Sequence, residues 1–371
     1  MAIWKIDELG EFVTLKRGYD LPQQMRKNGE IPIFSSSGVT GTHNEAMVEA
    51  PGVITGRYGT IGEVFFAETS FWPLNTTLYV ENFHENDEKF VYYFLKTLEW
   101  KKFASASAVP GINRNTVHKE IVRFPDFETQ QKIASVLSTI DKKIAVNKAI
   151  NDNLEQQAAT YFQELFINNA NPVWQISTIS DLGTVVGGST PSKTKPEYYT
   201  NNGIAWITPK DLSINKSKFI SHGENDITEL GLKNSSATVM PKGTVLFSSR
   251  APIGYIAIAS NEVTTNQGFK SVIPYSEIGT AFVYFFLKHS LPVIESAASG
   301  STFKEISGSA MKNIPAIIPD RNTLDQFNSF CAPIFAQQKI LEEQNHSLAM
   351  LRDSLLPKLM SGAIDIASIQ L

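Results

Sequence analysis

An internal repeat constrains this chain more than any other feature. The segments FVYYFLK at 90–96 and FVYFFLK at 282–288 are identical at six of seven positions, and the second begins 192 residues after the first in a chain of 371. A pattern carried twice at that distance predicts two copies of one structural unit. By themselves the two segments predict amphipathic helices with core-facing apolar residues.

The repeat extends on both sides of these segments. Upstream, PGVITGRYGTIGEVFFA aligns with KGTVLFSSRAPIGYIAIA, which places Arg57 opposite Arg250, and PLNTT aligns with TTNQG, which places Asn75 opposite Asn266. Downstream, two stretches rich in small residues correspond more loosely, at 104–117 and 295–307. The sequence therefore predicts one globular unit built twice, with loops that differ between the copies.

Each copy ends in a long helical pattern. A short strand and a proline precede it in both copies, and we expect Asp126 or Thr129, and Asn322 or Thr323, to be the N-caps. Proline removes a backbone donor and clashes with the preceding turn, so Pro333 should kink or restart the second helix.

Both helices carry a narrow apolar seam of the coiled-coil type. In the first helix the seam positions are Ile133, Leu137, Ile140, Ile144, Asn147, Asn151, Leu154, Ala158, Tyr161 and Leu165. In the second helix, 194 residues later, they are Phe327, Cys331, Ile334, Gln338, Leu341, Asn345, Leu348, Arg352, Leu355 and Leu359. We expect the two seams to pair. The alternative is two unrelated amphipathic helices, each packing on its own domain.

The composition is that of an ordinary globular protein. Hydrophobic residues make up 42% and charged residues 19%, and no apolar run reaches the ~18 residues of a membrane span. The N-terminal sequence has no secretory pattern and Cys331 is the single cysteine, so we expect a cytoplasmic protein in which Cys331 is a buried hydrophobe. A net charge of −4 argues against indiscriminate binding to nucleic acid.

Motifs of catalysis are missing from the sequence. We find no [ND]-P-P-[YF] methyltransferase loop and no G-x-G-x-x-G loop, and the six histidines lack the spacing of metal ligands. GRYGTIG at 56–62 lies between predicted strands and is expected to form tight turns. In GGSTPSKT, Ser192 replaces the second glycine of a phosphate-binding loop and Pro191 interrupts the turn. The sequence predicts a protein that is not an enzyme and has no cofactor or metal site.

Hydrogen-bonding side chains beside glycine- or serine-rich backbone recur in both copies. Arginine and lysine suit guanine, asparagine and glutamine suit adenine, and serines and backbone amides suit phosphates. For any single residue an ordinary solvated loop is the alternative, but two copies of the set favour contacts with DNA. The candidate DNA-binding residues are Ser36, Ser37, Arg57, Tyr58, Asn75, Asn113, Arg114, Thr208, Lys210, Arg250, Asn266, Gln267, Thr302 and Lys304.

Taken together, these segments resemble the specificity subunits of type I restriction-modification systems. The resemblance rests on the two-copy layout, the opening of the second unit at 181–212, GTVLFSSRAPIGYIAIA, TNQGFKSVIP and the closing LRDSLLPKLMSG, and it covers essentially the whole chain. The segment LKRGYDLPQQMRKNGEIPIF of the first unit is less typical of that family than its counterpart in the second unit.

The resemblance implies an α/β protein of the α+β kind, with two globular target recognition domains separated by two long antiparallel coiled-coil helices. It implies a non-catalytic subunit whose domains each read one half of a bipartite target in double-stranded DNA. The helices would set the spacer and bind two methyltransferase subunits, which restriction subunits can join; these partners would use S-adenosylmethionine, ATP and Mg²⁺. The expected domains are 1–127 and 170–321 for target recognition, and 128–169 and 322–371 for the helical regions, the latter with a C-terminal tail.

Two other interpretations stay open at this point. The chain could be the recognition subunit of a related system that fuses nuclease and methyltransferase in one polypeptide. It could also be a structural scaffold whose paired helices bridge two interaction domains.

Overall fold

A computed structural model describes residues 3–105, 110–250, 252–300 and 304–366. The chain divides into two compact units. Unit 1 consists of Met1–Ala145 and His346–Leu371, and unit 2 consists of Val146–Asn345. Two long helices cross the boundaries between these segments, so each helix contributes residues to both units.

Unit 1 is built mainly from short antiparallel strands. The strands are β1 (Trp4–Glu8), β2 (Thr14–Arg17), β3 (Ile31–Ser35), β4 (Gly38–His43), β5 (Gly52–Gly56), β6 (Val64–Ala67), β7 (Trp72–Pro73), β8 (Thr77–Asn82) and β9 (Ile121–Pro125). The helices that begin in this unit are α1 (Glu88–Thr97), α2 (Arg114–His118) and α3 (Phe127–Gln163). The strands form sheets in the orders β2-β8-β5-β6 and β4-β3-β7, with β1 and β9 as a separate pair.

Unit 2 has more elements. Its strands are β10 (Gln175–Thr178), β11 (Gly183–Gly187), β12 (Tyr199–Thr200), β13 (Ile204–Ile207), β14 (Phe219–Ile220), β15 (Asn225–Ile227), β16 (Val245–Ser249), β17 (Ile253–Ala259), β18 (Thr264–Thr265), β19 (Lys270–Pro274) and β20 (Pro315–Ile318). Its helices are α4 (Pro209–Ile214), α5 (Glu229–Lys233), α6 (Thr280–His289), α7 (Leu291–Ala297), α8 (Gly308–Lys312) and α9 (Arg321–Met360).

The strand orders confirm the repeat. Unit 2 contains a sheet β11-β19-β16-β17-β14, whose first four strands correspond in order to β2-β8-β5-β6 of unit 1. The pair β10 and β20 corresponds to β1 and β9, and both pairs are antiparallel. The central strands β5 and β16 are buried at every position, as expected for strands covered on both faces. The predicted fold class, a mixed α and β fold repeated twice with long helices, is confirmed.

Helices α1 and α6 carry the two segments that revealed the repeat. Phe90 and Phe94 lie in the hydrophobic core of unit 1, and Phe282 and Phe286 lie in that of unit 2, as predicted. The two helices differ in solvent exposure. Helix α1 keeps Tyr92 and neighbouring polar positions partly exposed, whereas α6 is buried continuously from 281 to 287.

The long helices α3 and α9 have 37 and 40 residues. The side chain of Asp126 accepts a hydrogen bond from the Thr129 N–H at 3.0 Å, which confirms Asp126 as the cap of α3. The prediction for α9 was wrong by two or three residues, because Asp320 caps it by accepting from the Thr323 N–H at 3.0 Å. Helix α9 runs through Pro333 without restarting.

The seam positions predicted for both helices are all buried or half-buried. Within unit 2 the helices run antiparallel, since Asn147 donates to Gln344 and Asn151 donates to Glu342, each at 3.3 Å, while the ring of Tyr161, further along α3, lies 4.5 Å from that of Phe330. The predicted pairing of the seams is therefore confirmed there. None of the helices in the described part of the chain combines the length and apolarity that a bilayer crossing requires.

Candidate nucleic-acid interface

In unit 1 the candidate residues gather around Arg57, which directly follows the buried strand β5. The Arg57 N–H donates to the Thr76 carbonyl at 2.8 Å, and its Nε donates to the Ile112 carbonyl at 3.3 Å. The guanidinium lies over the Tyr58 ring, 4.5 Å from its centroid. Backbone contacts from two separate loops thus hold the arginine and the tyrosine together.

Glycines make this close packing possible. A Cβ added to Gly111 would come within 2.1 Å of the Tyr58 ring, so the lack of a side chain at Gly111 lets the two loops approach. Gly59 and Gly62 have φ values of +74° and +94° in the link between β5 and β6, which confirms the predicted tight turns in GRYGTIG.

The remaining candidates of unit 1 adjoin this arginine. Asn75 precedes Thr76 and donates to Asp20. Asn113 follows Ile112, and its side-chain oxygen accepts from the Asn115 N–H at 3.0 Å. Arg114, the first residue of α2, is exposed.

Ser36 and Ser37 complete the group, which we call the Arg57 cluster: Ser36, Ser37, Arg57, Tyr58, Asn75, Asn113 and Arg114. A Cβ at Gly59 would lie 3.3 Å from the Ser36 Oγ. Ser37 is exposed, and its hydroxyl lies 3.0 Å from that of Ser35.

In unit 2 the equivalent group surrounds Arg250, which follows β16 as Arg57 follows β5. The Arg250 guanidinium lies 3.5 Å from a carboxylate oxygen of Glu305, and the Lys270 ammonium lies 3.6 Å from the other oxygen of that carboxylate. Two cations share one anion, so the group keeps a net positive charge. The Ser249 N–H donates to the Gly268 carbonyl at 2.7 Å, which joins this group to the loop that carries Asn266.

Asn266 is held rigidly in that loop. Its N–H donates to the Ile207 carbonyl at 3.0 Å, and its side-chain oxygen accepts from the Gly268 N–H at 2.9 Å. Its amide nitrogen is the remaining donor. The adjacent Gln267 is exposed and accepts from the Thr190 hydroxyl.

Thr208 lies next to this loop, because Pro209 adjoins Gly268. Its hydroxyl donates to the Asp211 carboxylate at 2.6 Å and caps α4, so Thr208 has a structural role there. Lys210 is exposed and pairs with Glu224 at 2.6 Å. Lys304 is exposed beside Glu305, and Thr302 lies outside the described residues.

We call the second group the Arg250 cluster: Thr208, Arg250, Asn266, Gln267 and Lys304, with Lys270 and Glu305. The sequence did not single out Lys270 or Glu305. Their only sequence signal is their position, since Lys270 follows the TNQG motif by two residues and Glu305 lies within the small-residue stretch at 295–307.

Several buried hydroxyls adjoin the two clusters. Those of Thr55 and Thr76 near Arg57, and of Ser249 and Thr265 near Arg250, have no hydrogen-bond partner within the described residues. Water is the ordinary partner for such groups. In the part of the chain that the structure covers, no three histidine, cysteine, aspartate or glutamate side chains are arranged to hold a metal ion.

Comparison with known proteins identifies a family and several similar proteins. A model of the family described as "Type I restriction modification DNA specificity domain" matches residues 1–156 and 172–345, which are the two copies of the repeat. The type I restriction enzyme MjaIX specificity subunit of Methanocaldococcus jannaschii is 43% identical over 162 residues, which are 43% of this chain and 37% of that protein. The aligned region thus spans little more than a third of this relative.

A longer alignment links the chain to the type I restriction enzyme HindI specificity subunit of Haemophilus influenzae, with 24% identity over 72% of this chain and 75% of that protein. Among solved structures, the S subunit of a type I restriction-modification system from M. genitalium superposes with a TM-score of 0.66. That superposition covers 97% of this chain and 96% of the other at 17% identity, so it establishes the likeness of the fold.

Proposed function

Since the chain belongs to the family of type I restriction modification DNA specificity domains, we propose that it is a DNA sequence-recognition subunit without catalytic activity of its own. One observation carries the proposal beyond family membership. The two units place an arginine at the same point of the same sheet, and each arginine is surrounded by asparagine, serine or lysine side chains. Each cluster is proposed to read one half of a bipartite target.

The chemistry of the clusters supports contacts with base edges and phosphates. Arginine can bind guanine O6 and N7 together, and an asparagine amide can bind adenine in the major groove. Ser36, Ser37 and the exposed Arg114 suit phosphates, which fix position without specifying sequence. The Arg57 and Arg250 clusters contain different residues, so we propose that the two half-sequences differ.

The two long helices are proposed to fix the spacer between the half-sequences and to bind two methyltransferase subunits. A helix of 37 residues is about 56 Å long, longer than the ~34 Å helical turn of DNA that separates two contacts on one face. The relatives are named as subunits of type I restriction enzymes, which favours methyltransferase and restriction subunits as partners over the scaffold or fused-nuclease alternatives. Those partners would use S-adenosylmethionine, ATP and Mg²⁺.

The low net charge of the chain fits a complex in which the chain and its partner subunits both contact DNA. With a net charge of −4, the chain itself is proposed to supply base contacts while its partners supply much of the phosphate contact. The affinity of the complex should then fall more steeply with salt than that of the isolated chain, because the slope counts the phosphates neutralised.

Methylation mapping tests the proposed function. The chain is expressed with a type I methyltransferase subunit from its source organism in a host lacking other adenine methylation, and methylated adenines are mapped genome-wide. We expect one bipartite motif with a fixed spacer, and no motif when this chain is omitted. A motif that persists without the chain, or a continuous motif, would contradict the proposal.

A further inference from the structure

Unit 2 contains a buried lysine. The side chain of Lys218 is 5% exposed and forms an ion pair with Glu155. Its ammonium lies 2.5 Å from the Gln338 side-chain oxygen and 4.1 Å from the centroid of the Phe335 ring. A buried ammonium carries a desolvation cost that only paired, hydrogen-bonded surroundings offset, so each of these contacts matters.

The backbone at Lys218 is held as firmly as its side chain. The two carboxylate oxygens of Glu342 accept from the N–H groups of Lys218 and Phe219, at 2.8 and 3.0 Å. Glu155 in turn accepts from the Lys288 ammonium at 2.6 Å and from the Tyr284 hydroxyl at 3.2 Å. We call these residues the Lys218 lock: Glu155, Lys218, Tyr284, Lys288, Gln338 and Glu342.

The lock joins three parts of unit 2. Lys218 lies directly before the edge strand β14, Glu155 lies on α3, and Glu342 lies on α9. Gln338 closes the connection between the helices by donating to the Asn151 carbonyl at 3.1 Å. A single lysine thus fastens the edge of the sheet to both helices.

The charges in the lock depend on one another. Burial lowers the pKa of Lys218, and the nearby Glu155 opposes that shift. Burial also acts to raise the pKa of Glu155, but Lys218 and Lys288 outweigh it and hold that pKa below its ordinary value. Removing either partner would leave a buried charge with weaker compensation.

Unit 1 has no equivalent lock among its described residues. The positions that correspond to Glu155 and Gln338 in the helical repeat are Ala349 and Ile144, neither of which can pair with a cation. The duplication therefore does not account for the Lys218 lock, and only the second unit is fastened in this way.

We propose that Lys218 is a positioning residue that fixes how the sheet carrying the Arg250 cluster sits on the helices, and thereby fixes the spacer at which the second half-sequence is accepted. The proposal rests on the proposed function. Its physical basis is that a buried ion pair need not add net stability and can instead specify how two elements pack together. A looser sheet would still present the same side chains to DNA, so the half-sequence itself should stay the same.

The test is methylation mapping with the full chain and its methyltransferase subunit, comparing the native protein with Lys218→Met, which keeps the length of the side chain but removes its charge. We expect both half-sequences to be unchanged, and methylation at sites whose spacer is one base pair longer or shorter to rise about tenfold. Tenfold corresponds to about 1.4 kcal/mol, within the range for residues of one network. An unchanged spacer preference in the folded variant would overturn the proposal.

A second variant covers the case in which Lys218→Met does not fold. Glu342→Gln retains one acceptor for the backbone N–H groups at 218 and 219. It should also raise methylation at sites whose spacer is one base pair longer or shorter, but by less than Lys218→Met. The matched control is Glu343→Gln, which makes the same charge change at a neighbouring carboxylate whose side chain is 66% exposed. Equal effects of Glu342→Gln and Glu343→Gln would also overturn the proposal.

The outcomes separate this proposal from the function on which it rests. If the native chain directs no bipartite methylation, the proposed function fails before any variant is compared. If the native chain does so and the Lys218 and Glu342 variants keep a strict spacer, only the positioning role of Lys218 fails.

Discussion

The hydroxyl of Tyr93 donates to a carboxylate oxygen of Asp141 at 2.6 Å, and this contact ties helix α1 of unit 1 to helix α3. Arg352 on α9 donates to the other oxygen of Asp141 at 2.7 Å. The corresponding positions in unit 2 are Phe285 and Phe335, whose ring centroids lie 6.1 Å apart. This pair of repeat positions therefore forms a hydrogen bond in the first copy and a contact between two aromatic rings in the second.

Replacing Tyr93 by phenylalanine should weaken unit 1 modestly. Tyr93→Phe removes one hydrogen bond and leaves Asp141 paired with Arg352, so we expect a loss of about 1 kcal/mol in the free energy of unfolding. Asp141→Ala should cost about 2 kcal/mol or more, because it leaves the buried Tyr93 hydroxyl without its acceptor and removes one of the two carboxylates that pair with the half-buried Arg352. Urea unfolding measures both. Tyr92→Phe is the control, since the hydroxyl of Tyr92 contacts only the exposed Lys96 in the described structure, and an equal loss there would contradict the assignment.

The same contact predicts a dependence on alkaline pH. Burial, followed by the hydrogen bond to Asp141, raises the pKa of Tyr93 above its ordinary value. A raised pKa in the folded state means that the stabilisation is complete below about pH 10 and declines as the pH rises further. Between pH 8 and 11 the native protein should therefore lose more stability than Tyr93→Phe, and parallel curves would refute the prediction.

Arg57 and Arg250 should act on different half-sequences. Arg250→Ala is expected to weaken recognition of one half by about 1 to 3 kcal/mol per lost base contact, and Arg57→Ala to weaken the other by a similar amount. Binding of the complex to DNA with each half altered in turn measures this. Arg321→Ala is the control, since Arg321 is an exposed arginine at the start of α9 that pairs with Asp325. If an arginine variant lost the same affinity for random DNA as for the target, that arginine would be shown to contact phosphates and not bases.

Lengthening the helices should change the spacer. Asn147 pairs with Gln344 and Asn151 pairs with Glu342, so a turn inserted in α3 within 147–153 needs a matching turn in α9 near 342–344 to restore these pairs. One turn adds about 5.4 Å, the length of one to two base pairs. Methylation mapping should show an altered spacer between unchanged half-sequences. Altered half-sequences with the old spacer would contradict the role proposed for the helices.

Cys331 should be unreactive until the protein unfolds. Its side chain is fully buried on α9, and burial raises its pKa to about 12. Because the thiolate is the reactive form, a thiol reagent at pH 8 should label native protein far more slowly than urea-unfolded protein. Labelling at the rate of a free thiol would show that this part of the helix opens readily.

The sequence alone determined the repeat, the strand-rich units and the seams of the long helices, because each follows from local periodicity or from self-similarity. The buried seam positions from Ile133 to Leu359 follow directly from heptad spacing. It also placed Arg57 and Arg250 at equivalent points. It did not determine the cap of α9, since neighbouring Asp320, Asn322 and Thr323 are all good capping residues and only the backbone conformation selects Asp320.

Tertiary structure decided which distant residues meet. Glu155, Lys218 and Glu342 are separated by more than 60 residues along the chain and have no repeated counterpart, so nothing in the sequence connects them. The meeting of Arg250, Lys270 and Glu305 is also a result of tertiary structure, because their shared carboxylate depends on three separate segments folding together. Ion pairs between distant residues leave no periodic pattern in the sequence. The partners of Lys218 are set by the packing that buries it away from water.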